Sequence, residues 1–401
     1  MSQRMLEGFK VVDFSHVVAG PHATKMLAEH GAEVIKIESL TGELARSLPL
    51  QREGRSGYFI QHNVGKKTMA IDISTKEGQD ICHELIKQAD VVVENFSPGV
   101  MKQHNLDWDT LKEINPGLVM CSISCFGQDG PLAHLPGFDW IGQSYAGIID
   151  LLGKADDTPV FGDFAFGDIA AGAHAYAAIV TALLHRLRGG KGQYIDISLI
   201  EVLFSFHEMS VQVYDSTGGQ MVAKRAGPDH HMLAAAGIFK CKDRYLFLVG
   251  LNQWVGLTKA IGREDMATDP RFQNIADTGK HKDEINSAIQ DWLDTIESVD
   301  KAIEILEKHR VACAPILNIP EFMEHPHVKE RGCVRTIVDD IFGDVRIPRT
   351  PLRFSEFPDT PDLRAGTLGQ YNHEVLREWL SYTEQQIADL ETTGIIASKN
   401  I

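Results

Sequence analysis

Residues 10–38 read KVVDFSHVVAGPHATKMLAEHGAEVIKIE. KVVDFS (10–15) is a β-branched run that suits an extended strand, and AGP (19–21) interrupts it. HATKMLAEH (22–30) carries its apolar residues at helical spacing, and Gly31 supplies the left-handed residue that closes a helix. AEVIKIE (32–38) is a second strand. The same alternation continues with TMAIDI (68–73), a helix opening at Thr75, DVVVENF (90–96), WDTLKEIN (108–115) and LVMCSIS (118–124). Strands spaced by single helices demand right-handed crossovers and a parallel sheet. The expected fold class is therefore α/β, with a Rossmann-like layer.

Beyond that layer, residues 168–188 predict a long, mostly apolar helix ended by Gly189-Gly190, and QYIDISL (193–199) another strand. Periodicity lapses over 211–235, which reads as a linker. GIFKCKDRYLFLVGL (237–251) predicts a hairpin turning at Lys242-Asp243, and acidic amphipathic helices follow to about residue 310. Near 335–354 a last hairpin is expected, and near 374–381 a closing helix.

The fold leaves the ligand open, because function resides in sites. The first strand–helix turn, HVVAGPHA, lacks GxGxxG, and no GxxxxGK[ST] sits at a strand–helix junction, so nicotinamide and P-loop chemistry are disfavoured. The 401 residues carry 39 Lys plus Arg against 55 Asp plus Glu, a formal charge of −16 that suits neither nucleic acid nor an anionic membrane surface. A local basic patch can still hold a small anion. Six cysteines form no CxxC pair and no metal-ligand spacing, which points to reduced thiols, no metal and a cytoplasmic location. No signal peptide is visible, and the apolar stretch 169–184, broken by His174, is read as too short to span a bilayer.

The chemistry is expected in PVFGDFAFGDIAAGAHAYAAIVTALLHR (159–186), where Asp163 and Asp168 each follow Phe-Gly. Asp168 stands where a loop becomes a helix. One reading makes it an N-cap. The other makes it a nucleophile, kept ionised by the helix terminus and left accessible by Ala170, Ala171 and Gly172. Spacing leaves both open.

Several blocks together carry a family resemblance: DFSHVVAGPHATKMLAEHGAEVIKIE (13–38), VVVENFSPGV (91–100), INPGLVMCSISCFGQDGP (114–131), GDIAAG (167–172) and GGKGQYIDISL (189–199). In these blocks, and over nearly its whole length, the chain resembles the class III CoA-transferase family. That resemblance implies Asp168 as the residue attacking an acyl-CoA thioester, through an aspartyl anhydride and an aspartyl-CoA thioester, with coenzyme A as substrate and no permanently bound cofactor. It implies that His16, Val17 and Ala19 line the pantetheine end with Asn95 and Phe96, and that Arg46, Lys66, Lys67 and Lys102 supply cations for phosphate. Gln103, Val18 and Ser39 depart from the family pattern. The covering loop would be 225–231, with Arg225, Gly227 and His230 near substrate; its few glycines favour an acid bulkier than formate or oxalate, and a small dicarboxylate such as succinate, itaconate or mesaconate is expected.

The relationship further implies a homodimer of interlocked, ring-like chains. A large domain would be built from 1–210 plus 330–401, with 211–235 as linker and a smaller α+β domain over 236–329. The main rival, an α-methylacyl-CoA racemase, needs a histidine where Phe138 stands, and a ring of carbon takes no proton. Asp139 beside it is a candidate for positioning Asp168. A non-catalytic acyl-CoA-binding protein is the other alternative.

Overall fold

The computed structural model describes residues 4–357 and 363–398. They fall into two compact units. One takes the residues up to Ala146, Asp163–Phe206 and those from His327 on; the other takes Gly147–Gly162 and His207–Pro326.

The first unit is built on six parallel strands: β1 (Lys10–Asp13), β2 (Glu33–Glu38), β3 (Lys66–Ala70), β4 (Val91–Glu94), β5 (Val119–Ser124) and β6 (Gln193–Ser198). Their spatial order is β3-β2-β1-β4-β5-β6. Alternate residues of each strand enter opposite cores. Val11, Val34 and Val91 pack on one face with Ala23 and Leu27 of helix α1 (Ala19–Glu29). Val12, Ile35 and Val92 pack on the other with Leu85 of helix α2 (Lys76–Lys87) and Leu376 from Asn372–Glu378. Burial on both faces explains strands that read as unbroken apolar runs. The chain order reverses between β1 and β4, and in an open α/β sheet the crevice at the carboxyl ends of such a pair is where ligands sit.

Thr75 caps α2 by accepting the Gly78 N–H, as its sequence position predicts. Two further helices concern the site: α3 (Asp139–Tyr145) and α4 (Phe166–Leu187). Helix α4 buries Ala171, Ala175, Ile179 and Ala182, one stripe at helical spacing. Its small residues admit α1 closely: a Cβ on Gly172 would lie 2.6 Å from the Ala19 carbonyl. His174 does not interrupt the helix, so its 22 residues, with mean hydropathy 1.3 in their most apolar window, are long and apolar enough to cross a membrane by length and composition, contrary to expectation. In this unit the inner stripe is spent on the protein core.

The second unit carries a three-stranded antiparallel sheet, Ala236–Lys240, Tyr245–Val249 and Ala312–Pro315, covered by Lys282–Thr295 and Val299–Lys308. Residues 147–162 belong to it, and the stretch expected as an irregular linker contains a helix, Ser210–Ser216. The six cysteines are free.

Candidate active site

The site is framed by charges that the sheet interior would ordinarily reject. Asp13, at the end of β1, is fully buried. Its Oδ1 accepts the Ser15 N–H at 2.9 Å, and its Oδ2 accepts the Thr24 hydroxyl at 2.6 Å and Lys66 Nζ at 3.0 Å. From β2, Lys36 donates to the Ser15 carbonyl at 2.6 Å and pairs with Glu43 at 3.2 Å. Burial alone would raise the Asp13 carboxyl, but Lys66 and Lys36 outweigh it and hold the group well below the carboxylate range. The loop after β1 is thus pinned, and Glu43 Oε2 accepts the Val17 N–H at 2.8 Å. Val17 has φ of 64°. For a β-branched residue this left-handed backbone costs on the order of 1–3 kcal/mol and persists only where the surroundings enforce it.

Across the switch point, Asn95 follows β4 and makes a reciprocal pair with His16: the His16 N–H reaches Asn95 Oδ1 at 2.7 Å, and Asn95 Nδ2 reaches the His16 carbonyl at 2.9 Å. The His16 ring stands edge-on to Phe96, centroids 4.8 Å apart. Glu94 lies beneath this turn and accepts the Phe96 N–H at 2.8 Å. Burial, offset only in part by that bond and by Ser122, pushes its carboxyl up to about 7.

Asp168 is the third residue of α4, not its cap; Ala165 occupies the cap position and no side chain caps there. Its backbone N–H instead donates to Asp139 Oδ1 at 2.8 Å. The other Asp139 oxygen takes the Gln143 amide, one turn along α3. Gly167 makes the approach possible, since a Cβ there would lie 2.5 Å from Asp139 Oδ1. No donor among the described residues reaches the Asp168 carboxylate itself. Burial first, then the Asp139 charge, raises it to about 7, where a lowered value was expected. The helix terminus is worth about 0.3–2 kcal/mol and loses to desolvation and a like charge. An accessible carboxylate, half ionised near neutrality and unencumbered by hydrogen bonds, is suited to attack on a carbonyl.

Asp168 opens on a cavity of about 360 Å³ that His16, Val17, Ala19, Asn95, Phe96 and Phe138 also line. The structure therefore brings together seven of the residues singled out from the sequence. Asp139 stands behind them, 3% exposed.

None of the expected phosphate cations lines this cavity. Lys66 is wholly buried, and its three N–H groups go to Asp13, the Pro21 carbonyl at 3.1 Å and Asn63 at 2.8 Å. A side chain with every donor spent inside the sheet has none for a phosphate. Arg46 forks onto Glu38 at 2.6 and 2.7 Å and lies over the Phe59 ring, and Lys67 pairs with Glu33 and Glu374 at 2.8 and 2.7 Å. Lys102 is exposed on the short helix Val100–Gln103. Asp163 is exposed. In the second unit, Arg225 pairs with Asp150 at 2.6 Å, and Gly227 adopts a φ of 66° while donating to the Gly153 carbonyl at 2.9 Å. His230 Nδ1 accepts the N–H groups of Met232 and Leu233 at 3.1 and 3.2 Å, which makes its ring a turn-former there.

Lys36, Glu43, Asp13 and Gln143 escape a motif reading. For Asp13 and Lys36 the signal is present nonetheless: a charged residue inside a strand buried on both faces requires a partner. Among the described residues no cluster of three or more His, Cys, Asp or Glu is arranged to hold a metal ion.

The sequence matches the model of CoA-transferase family III over residues 6–372. It is 31% identical to succinyl-CoA–D-citramalate CoA-transferase of Chloroflexus aurantiacus, over 98% of each chain. It is 31% identical to succinyl-CoA:mesaconate CoA-transferase of Haloarcula hispanica, over 93% of this chain and 96% of that one. A CAIB/BAIF family protein from Brucella suis has the same fold, with a TM-score of 0.82 and 32% identity over 94% of this chain and 100% of its own.

Proposed function

The chain belongs to CoA-transferase family III and is a transferase, and from that premise we propose that it moves coenzyme A from an acyl-CoA, succinyl-CoA by preference, to a small dicarboxylic acid through intermediates on Asp168. An Asp168 oxygen attacks the thioester carbonyl, the C–S bond breaks, and a mixed aspartyl anhydride and CoA thiolate result. The thiolate attacks the Asp168 carbonyl carbon, giving an aspartyl-CoA thioester and releasing the donor as a carboxylate. The acceptor carboxylate then displaces CoA thiolate from the aspartyl carbon, and thiolate attack on the acceptor carbonyl of the new anhydride yields acceptor acyl-CoA and restores Asp168. Charge and atoms balance without an external base, and the reaction consumes no cofactor beyond CoA.

One observation carries the reading: a carboxylate without a hydrogen-bond partner, raised to about 7, at the wall of a cavity at the sheet's switch point. His16, Val17, Ala19, Asn95 and Phe96 are proposed to line the thiol arm, and Lys102 and Arg46 to approach the phosphates. Residues 225–231, with Arg225, Gly227 and His230, are proposed as a loop that excludes water, since anhydrides hydrolyse. The carbon ring of Phe138 argues against a racemase. The proposal includes a cytoplasmic enzyme acting as an interlocked homodimer. Treatment with succinyl-CoA and hydroxylamine, followed by peptide mass spectrometry, tests it: a hydroxamate at Asp168 is expected, and CoA binding without any acyl exchange would favour a non-catalytic binding protein.

A further inference from the structure

The register of three neighbouring strands sets an acidic row beneath the cavity. Glu94 on β4 pairs with Ser122 on β5, and Ser122 pairs with Asp196 on β6. Two residues back in each strand stand Val92, Met120 and Tyr194, which join the apolar core on the α2 side, so Glu94, Ser122 and Asp196 point to that same side. Each end of the row holds a turn. Glu94 accepts the Phe96 N–H at 2.8 Å, and Asp196 Oδ2 accepts the Gln128 N–H at 2.9 Å. Both turns reach the Asp168 cavity, the first through Asn95 and Phe96, the second through Cys125 and Phe126.

The two acids differ in what surrounds them. Asp196 is exposed on the sheet's edge strand, where water supports its charge. Glu94 is 3% exposed, and among the described residues no cation pairs with it. Facing it from β5 are Ser122 and Cys121, and from β6 Tyr194 and Asp196. Burial keeps that thiol and that phenol neutral, and Asp196 is a like charge. Beyond the turn, the His16 ring against Phe96 is also held neutral by burial. A buried carboxyl with no positive neighbour takes up a proton in preference to staying charged. Resting on the CoA-binding part of the transferase reading, we propose that Glu94 is a positioning residue that works as the neutral acid: uncharged, it holds Asn95 and Phe96 in place for the thiol arm of CoA, and its ionisation loosens that wall, so that CoA binds more weakly in alkaline solution. The sign follows from burial, which raises the Glu94 carboxyl to about 7, so the well-formed wall is present below that pH and is lost as pH rises through it.

The test measures CoA binding by titration calorimetry in a chain carrying Asp168→Asn, which removes the other carboxyl raised to about 7. Adding Glu94→Gln keeps an oxygen for the Phe96 N–H and abolishes the titration. The ratio of the two chains' affinities is expected to be near one at about pH 6 and to favour Glu94→Gln about tenfold or more at about pH 8.5. The phosphates of CoA titrate alike against both chains and cancel in that ratio. In buffers of different ionisation heat at about pH 7.5, the chain retaining Glu94 is expected to take up about half a proton more on binding CoA than the Glu94→Gln chain. A ratio that does not change with pH, or equal proton uptake, overturns the assignment, and so does an equal loss of affinity at both pH values, which is what a purely structural role gives. Infrared difference spectra of the Asp168→Asn chain need no second substitution: at about pH 8, CoA is expected to restore a protonated-carboxyl band, and its absence overturns the proposal. Hydroxamate formation at Asp168 in the unaltered protein is scored separately. A hydroxamate with a pH-independent affinity ratio sinks only the role of Glu94, the expected ratio without a hydroxamate sinks only the covalent reading, and no CoA binding in any chain sinks both.

Discussion

The Asp168 N–H donates to Asp139 Oδ1 at 2.8 Å, so the group that fixes the Asp168 backbone is itself a like charge that resists ionisation of the Asp168 carboxyl. Both effects depend on Gly167, where a Cβ would lie 2.5 Å from Asp139 Oδ1 and force the two segments apart. The arrangement trades a fixed backbone against a raised carboxyl, and the two are separable by substitution.

Asp139→Asn retains an oxygen for the Asp168 N–H and removes the charge. Asp168 is then expected to ionise at lower pH, and the acid limb of kcat/KM, expected near pH 7 in the unaltered protein, to move downward by about one unit. Asp139→Ala removes the acceptor as well and is expected to lower kcat about 100-fold across the pH range, as misplacement of a reacting group does. A pH–rate profile of Asp139→Asn that superimposes on the original would show that Asp139 does not tune Asp168.

The raised carboxyl also has a stability consequence. Asp168 titrates near 7 when folded against 3.8 ordinarily, so its favourable contribution is complete below about pH 4 and is lost as pH rises through 7. Asp168→Asn is therefore expected to abolish exchange yet to unfold at a higher temperature at pH 8, by about 2 kcal/mol of stability after allowance for solvent relaxation. At pH 4 the difference is expected to vanish. Calorimetry at the two pH values checks the sign.

How much of this was legible in the chain depends on the range of the interaction that decides it. The strands and α1 follow from local periodicity, and Gly31 ends its helix at a φ of 106° as a short-range signal should. GDIAAG singles out Asp168, and the structure places that residue on the cavity wall. Its protonation was not legible, because burial and Asp139, 29 residues away, set it. Lys66 failed for the same reason: next to Lys67 it reads as a surface pair, and only the parallel register Val34↔Lys66 brings its ammonium under β1 to Asp13. The helix Glu384–Thr392, opened by a Thr383–Gln386 capping box, carries a local signal of its start.

Lys66 gives a direct contrast between the phosphate reading and the observed ion pair. Lys66→Met leaves Asp13 buried and unpaired and is expected to cost about 3–5 kcal/mol in chemical denaturation. Asp13→Asn in the same chain is expected to recover part of it, since the remaining amide can still bond Ser15 and Thr24. Unchanged stability with a raised KM for acyl-CoA would restore Lys66 to the phosphates.

Val17 is the last case, because it joins strain to the cavity wall. Its left-handed backbone is held from one side by Glu43, which takes its N–H at 2.8 Å, and from the other by the His16–Asn95 pair. Glu43→Gln keeps an oxygen for the Val17 N–H but leaves Lys36 without its counter-ion, so a loss of about 3 kcal/mol is expected. Val17→Gly acts in the opposite direction on the backbone: it removes the Cβ conflict, worth about 1 kcal/mol or more, while widening the unfolded ensemble by a smaller amount. It also strips an apolar side chain from the cavity. Val17→Gly is thus expected to keep or slightly raise the unfolding temperature while raising KM for acyl-CoA, a split that a residue serving stability alone does not give. Equilibrium unfolding and steady-state kinetics on the same preparation decide it, and a fall in both stability and affinity would place Val17 among ordinary core residues.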